Sequence, residues 1–345
     1  MPLDNRPDHE STERSVRPSL IPRLTIKRLF RSLDLLRRFG TPKKIQNVIR
    51  AEIAFRRREG ILTSRPYIFR ADSTTLCALN CPYCLRTQNE PRPPKSLLFD
   101  EFRQKFEPFR EWCLLVPFQM FGDPTMNPEL PKMIDHVRAA GAATYVSTNL
   151  QSVDEDYLKR LLSSGLSLLT ISLDAATPPT YQRMKPGGGY EALMENIHRL
   201  FELKRSIRQP PAVGFQVLVT RHNESELPAI REFARKIGAD YLDFKSVYFL
   251  PDPSWAPLNP RYRPPAFQHR KVMCAIPWTG ITLLADGSFF PCCAFPGDFN
   301  LGAPEGDLME TVWNGEKMRA LRAGFKTGRL EPLCRDCTLG RIPRF

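Results

Sequence analysis

Three cysteines fall within eight residues, Cys77, Cys81 and Cys84, in the spacing C-x3-C-x2-C. Thiolate is the side chain that suits iron–sulfur clusters, and three thiolates this close can hold three irons of a cubane [4Fe–4S] cluster. The loop has no fourth cysteine, so one iron would stay open to another ligand. A disulfide framework would need an even number of cysteines in a short secreted chain. A zinc site would normally close with a nearby fourth Cys or His.

A second group lies far downstream: Cys274, Cys292 and Cys293, then Cys334 and Cys337. Four of these can hold another cluster, and a zinc staple fits the spacing equally well. Cys113, beside Trp112 at the start of an apolar run, reads as a core thiol. The five histidines (His9, His136, His198, His222 and His269) lack metal-ligand spacing and read as surface or capping residues.

The chain around these residues has 345 positions, 42% hydrophobic and 25% charged, which suits a soluble globular protein of one large domain plus a smaller one. No uncharged run approaches the ~18 residues that cross a bilayer, and the start is charged with no apolar signal core, so a cytoplasmic location is expected. In that compartment cysteines read as metal ligands or redox groups before disulfides. The net charge is +13, and residues 1–70 alone hold 17 Lys/Arg against 7 Asp/Glu. Such a basic arm can contact an anionic partner, although a solvated helix face is the plainer reading and no nucleic-acid module accompanies it.

Residues 1–23 read as a disordered tail. Residues 24–62 read as a basic helical extension, with Ile26, Leu29, Phe30, Leu33, Leu36 and Phe39 on one helix and Ile45, Val48, Ile49 and Ile53 on the next. From 63 to 250, strand and helix signals alternate. Strands are expected at Tyr67–Ala71, Leu114–Met120, Ala143–Ser147, Leu168–Leu173, Val213–Thr220 and Tyr241–Ser246. Helices are expected near Phe99–Phe106, Pro128–Ala140, Glu155–Ser163, Tyr190–Lys204 and Ser225–Ile237, with caps at Asn127, Asp154 and Asn223. Six strands, five helices and no hairpin signal imply βαβ units and a parallel sheet, either curled into a partial barrel or open. Residues 251–268 form a proline-rich linker. Residues 269–345 begin with a β-hairpin turning at Asp286-Gly287, and they hold too few apolar positions for a rich core, so a staple is expected.

The cysteine loop directly follows the first expected strand, at the strand end where parallel α/β sheets bind ligands. There Cys77-x3-Cys81-x2-Cys84, with the aromatic Tyr83 before the last cysteine, resembles the signature of the radical S-adenosylmethionine (SAM) enzymes. Gly122-Asp123-Pro124, at the end of the second strand, resembles that family's G-E-P motif, which receives the amino group of SAM; Asp123 is one methylene shorter. By the same resemblance Tyr83, Ser147, Ser172, Arg183 and Leu218 are candidate SAM contacts. Arg183 could equally make a surface salt bridge, and Leu218 a core contact. Cys274, Asp286-Gly287, Cys292-Cys293, Asn300-Leu301-Gly302, Trp313-Asn314-Gly315 and Cys334-x2-Cys337 resemble, in order, a SPASM/Twitch auxiliary domain. A full SPASM domain carries more cysteines, so the resemblance implies one further [4Fe–4S] cluster on Cys274, Cys292, Cys334 and Cys337, with Cys293 spare.

The resemblance implies an α/β fold, a partial (β/α)6 TIM-like barrel with a small C-terminal α+β auxiliary-cluster domain. It also implies reductive SAM cleavage at the open iron, a 5′-deoxyadenosyl radical that takes a substrate hydrogen, and an external electron donor such as flavodoxin or ferredoxin. A fully ligated auxiliary cluster could accept the substrate's electron. That suggests net oxidation of a small sugar-like or natural-product substrate, as in radical SAM alcohol dehydrogenases of aminocyclitol biosynthesis. A peptide or protein maturase is the second reading, and a non-catalytic zinc or Fe–S scaffold the third. Related enzymes place a catalytic aspartate just after the auxiliary cysteines. This chain has Ala294 and Phe295 there, which leaves Asp298 and Lys245 as candidate bases.

Overall fold

The computed structural model describes residues 34–88, 92–247, 250–263, 274–292, 299–335 and 337. The expected tail at 1–23, the start of the first N-terminal helix, the end of the linker, Cys293 and Asp298 lie outside the described residues.

Eight strands form one sheet in the order β6-β5-β4-β3-β2-β1-β7-β8. They are β1 (Ile68–Ala71), β2 (Leu115–Phe118), β3 (Ala143–Thr148), β4 (Leu168–Ser172), β5 (Ala212–Val219), β6 (Tyr241–Ser246), β7 (Gly280–Leu283) and β8 (Phe289–Phe290). The first six are parallel, each beside its predecessor, as repeated βαβ units require. The sheet stays open, with β6 and β8 at its edges, so the barrel is partial. The expected hairpin is present as β7 and β8, and it extends this same sheet: β7 runs parallel to β1, with Arg70 opposite Thr282.

Helices cover one face: α1 (Pro42–Arg57), α2 (Phe99–Phe106), α3 (Leu130–Ala139), α4 (Glu155–Ser163), α5 (Pro178–Met184), α6 (Tyr190–Ser206), α7 (Leu227–Ile237) and α8 (Glu316–Thr327). Asp154 caps α4 by accepting from the Tyr157 amide at 2.7 Å, as expected. Asn127 Oδ1 accepts from the Glu129 amide at 2.9 Å, the bond expected of its cap, while its Nδ2 donates to Ser73 O and Leu97 O; the regular turns of α3 start at Leu130.

The period of two sorts the strand side chains. On β5, Val213, Phe215, Val217 and Val219 are fully buried under the helices, with Phe215 against Phe201 of α6 and Phe233 of α7. Gly214, Gln216 and Leu218 therefore face the inside of the barrel. On β1, Phe69 points outward into Phe102, Phe106 and Phe109, which turns Arg70 and the following Asp72 inward.

The N- and C-terminal parts are clamped together. Phe55 of α1 packs edge-on against Trp278, whose indole donates to Glu59 O, and the Trp313 indole donates to Ser64 O. Arg322 is fully buried between them and donates to Pro277 O, Gly60 O and Trp313 O.

Candidate active site and metal centres

The cysteine loop leaves the carboxyl end of β1 and is fixed from below by the turn after β2. The Asp123 amide donates to Leu76 O at 2.7 Å, one residue before Cys77. Only glycine fits at 122, because a Cβ there would lie 2.2 Å from Thr74 O and 2.5 Å from Leu76 O. The Asp123 carboxylate turns inward. It accepts from the Thr125 amide (2.9 Å) and hydroxyl (2.6 Å), the Thr148 hydroxyl (2.8 Å) and the Asn149 amide (2.6 Å). Four donors occupy it, so this side chain ties the end of β2 to the end of β3 rather than presenting a free acceptor. Asn149 completes the link by placing its Nδ2 3.5 Å from Cys77 Sγ.

The three thiols lie within one another's field. Burial pushes Cys81 up to about 12, opposed by Lys185 and reinforced by Cys84 and Cys77. Burial likewise raises Cys77, with Asp123 and Cys84 adding to it. Buried thiols whose ionisation is opposed in this way, Cys81 and Cys77, fit a site where shared cationic iron compensates the thiolates. Among the described residues no three His, Cys, Asp or Glu side chains converge as ligands of a single ion. Thiolate is nonetheless the donor that suits iron–sulfur clusters.

Behind the loop sits a buried polar knot. Tyr83 Oη donates to Asp174 Oδ2 at 3.0 Å, and Lys185 Nζ lies 3.3 Å from the same oxygen, both charged side chains being 2% exposed. The Leu218 amide donates to Asp174 Oδ1 at 2.6 Å, and Lys185 also donates to Ser172 O. Asp174 reaches these partners from a left-handed backbone (φ 58°), which aspartate tolerates better than most residues. Tyr83, Cys81, Leu218, Met184 and Trp255 close the apolar side of the loop. Lys185→Met is expected to destabilise the fold by about 3–5 kcal/mol, because it strands the Asp174 charge. Adding Asp174→Asn should recover most of that loss in urea unfolding of the reconstituted chain.

The sequence candidates are thus partly gathered. Tyr83, Gly122, Asp123, Pro124, Ser147, Ser172 and Leu218 lie at the carboxyl ends of β2–β5 or on the loop they support. Arg183 does not join them: it is exposed, with Nη1 3.3 Å from His222 Nδ1. The buried cation is Lys185, two residues on, which the sequence reading missed; its one signal is its place just before the Pro186-Gly187 turn. Lys245 faces the barrel from β6 and donates to Gln216 of β5.

In the C-terminal segment, burial pushes Cys334 up to about 12, with Cys274, then Cys337 and Glu331, raising it further. Cys292 directly follows the β8 hairpin, and all four of these thiols are half-buried. They fit a second iron–sulfur group by the same donor chemistry.

Comparison with known proteins agrees with this layout. The Radical SAM superfamily model matches residues 72–234, and the iron-sulfur cluster-binding SPASM model matches 274–338. The chain is 27% identical over 171 residues to a Probable GTP 3',8-cyclase of Methanococcus maripaludis, covering 50% of this chain and 56% of that one. It is 28% identical over 172 residues to the Tungsten-containing aldehyde ferredoxin oxidoreductase cofactor-modifying protein of Pyrococcus furiosus, covering 48% of each. The match thus spans about half the length of these curated relatives. Among solved structures, Streptococcus suis SuiB bound to S-adenosylmethionine superposes with a TM-score of 0.61 at 14% identity, over 86% of this chain and 78% of that one. Native anSMEcpe with bound AdoMet gives 0.52 at 13% identity, over 72% of this chain and 81% of that one. The fold, the cysteine loop and the two matched segments lead to one conclusion: the chain belongs to the radical SAM superfamily, with [4Fe–4S] and SAM as cofactors and a SPASM iron–sulfur domain at its C-terminal side.

Proposed function

We propose that this chain carries out a net two-electron oxidation of a small polar substrate, sugar-like or a natural product, with an auxiliary cluster accepting the substrate's electron. The observation that carries this reading is the polarity of the barrel's inner face. Tyr145, Ser147, Thr170, Gln216, Asp243 and Lys245 all alternate inward on β3–β6. Hydroxyl, amide and charged groups in a concave site suit a substrate rich in hydroxyls and amines.

When bound, the cluster and SAM supply hydrogen-atom abstraction, the step no side chain can perform. The rest falls to the protein. Cys77, Cys81 and Cys84 would hold three irons, and Cys274, Cys292, Cys334 and Cys337 would hold one further cluster. The Gly122–Pro124 turn, Ser147, Ser172 and Leu218 stand around the space in front of the cysteine loop. Tyr83, Met184 and Trp255 exclude water from one side of it. Lys245 is the described candidate for moving a proton from substrate.

Anaerobic reconstitution of the full chain with iron and sulfide should give about eight irons per chain, two clusters of four. SAM should then be converted to 5′-deoxyadenosine, and a deuterated polyol or aminocyclitol substrate should pass its label into that product and emerge two hydrogens lighter. Bound zinc without SAM cleavage overturns the enzyme reading. Redox-neutral products, or label transfer from a peptide alone, overturn the oxidation of a small substrate.

A further inference from the structure

Among the described residues, Arg70 brings a positive charge into the barrel without an ion-pair partner. It faces inward from the middle of β1 and is 5% exposed, and its Nη1 is buried with no hydrogen-bond partner. Its register partner on β7 is Thr282, 0% exposed, whose Oγ1 is also buried and unpartnered. The neighbouring strand leaves room for the guanidinium: a Cβ on Gly280 would sit 2.8 Å from Arg70 Nη1.

Arg322 shows how this fold treats a structural arginine. It is as deeply buried, yet its guanidinium donates to three backbone carbonyls and stacks 4.5 Å over Trp313. Among the described residues nothing comparable surrounds Arg70. Buried polar groups in folded proteins are nearly always paired, and an unpaired buried charge is strongly unfavourable. Two such groups opposite each other on adjacent strands point to a ligand that completes them. A guanidinium beside a hydroxyl offers the donors that match the oxygens of a carboxylate or phosphate.

We infer that the inner face of β1 and β7 is a subsite for an anionic group of the substrate, a carboxylate or phosphate ester, held by Arg70 and Thr282. This rests on the reading of the barrel interior as the substrate site. It also gives the C-terminal segment a part in recognition, because β7 completes the subsite only when docked beside β1.

The test uses the full, anaerobically reconstituted chain, with inorganic phosphate and acetate as probes against chloride at matched ionic strength. At a concentration tenfold above its dissociation constant, one anion should raise the Tm of the wild type by about 3 °C. A response to phosphate alone assigns a phosphate ester, and a response to acetate alone or to both assigns a carboxylate or a general oxyanion site. Arg70→Met should lose the response, and without anion it should melt above the wild type, the reverse of a structural arginine. Thr282→Val, which keeps the volume, should weaken the response and carries the test if Arg70→Met does not fold. Arg183→Met should respond as the wild type does. No anion response in the wild type, or an equal response in Arg70→Met or Thr282→Val, overturns the subsite. 5′-Deoxyadenosine formed by the same preparations separates the two readings. If it is intact without an anion response, the subsite alone fails; if it is absent with the response intact, the reaction fails and the subsite stands.

Discussion

Cys81→Ala is expected to abolish SAM cleavage and to lower the iron content by about half, from roughly eight to roughly four per chain. Cys81 is the middle thiol of the loop, and burial pushes it up to about 12. Without it, two thiols remain to hold a cluster that needs three, while the C-terminal four are untouched. Cys113→Ala is the matched control. Burial also pushes Cys113 up to about 12, but its partners are the carbonyls of Leu115 and Tyr67 and the charge of Lys44, with no second thiol acting on it among the described residues. Its loss should cost about 1–2 kcal/mol of packing and no iron. Iron analysis, EPR of the reduced protein and 5′-deoxyadenosine formation check the pair. If Cys81→Ala still cleaves SAM, the open-iron cluster does not sit on this loop.

The contrast between these two cysteines also explains what the sequence makes legible. Ligand spacing is local, so C-x3-C-x2-C can be read without knowing the fold. The parallel strands were legible for a similar reason: Val213, Phe215, Val217 and Val219 form an outward apolar row, and helices with caps such as Asp154 separate such rows. What failed was phase and distance. α5 is a seven-residue helix beginning with two prolines, too short to show a periodic face. Its end therefore gave no way to tell Arg183, which stays outside, from Lys185, which turns in to meet Asp174. The Asp123 knot draws on Thr148 and Asn149, 25 and 26 positions away. The pairing of β7 with β1 joins residues more than 200 positions apart. Neither leaves a periodic trace, so Asp123 read as an open acceptor and the hairpin as a separate unit's opening. The orphans on β1 and β7 were invisible for the same reason, since an arginine is unpaired only in relation to neighbours the chain brings from elsewhere.

Asp72, two residues beyond Arg70, yields the second large prediction: Asp72→Asn should stabilise the protein, and more so at alkaline pH. Asp72 is 1% exposed; its Oδ1 accepts from the Phe121 amide at 3.1 Å, while its Oδ2 is buried without a partner. Burial raises its pKa from 3.8 to about 7; the Phe121 and Gly122 amides and Arg92 oppose that rise, and Asp286 adds to it. An acid with a raised folded-state pKa costs nothing while protonated in both states. The cost grows as pH climbs from about 4 to about 7, where it reaches up to about 4 kcal/mol, and it stays constant above that. Asparagine keeps the accepting oxygen and removes the charge, at the lesser cost of an unpartnered amide, so a net gain of about 1–3 kcal/mol is expected at pH 8. Between pH 5.5 and pH 8 the advantage of the variant over the wild type should widen by about 2 kcal/mol in urea unfolding. A gap that is flat with pH would mean that the Asp72 carboxylate is solvated or paired in solution. A widening gap would mean that the chain tolerates a destabilising carboxylate at the carboxyl end of β1, five residues before Cys77. Folds keep such costs chiefly where the group is used, and the same variant then trades activity for stability.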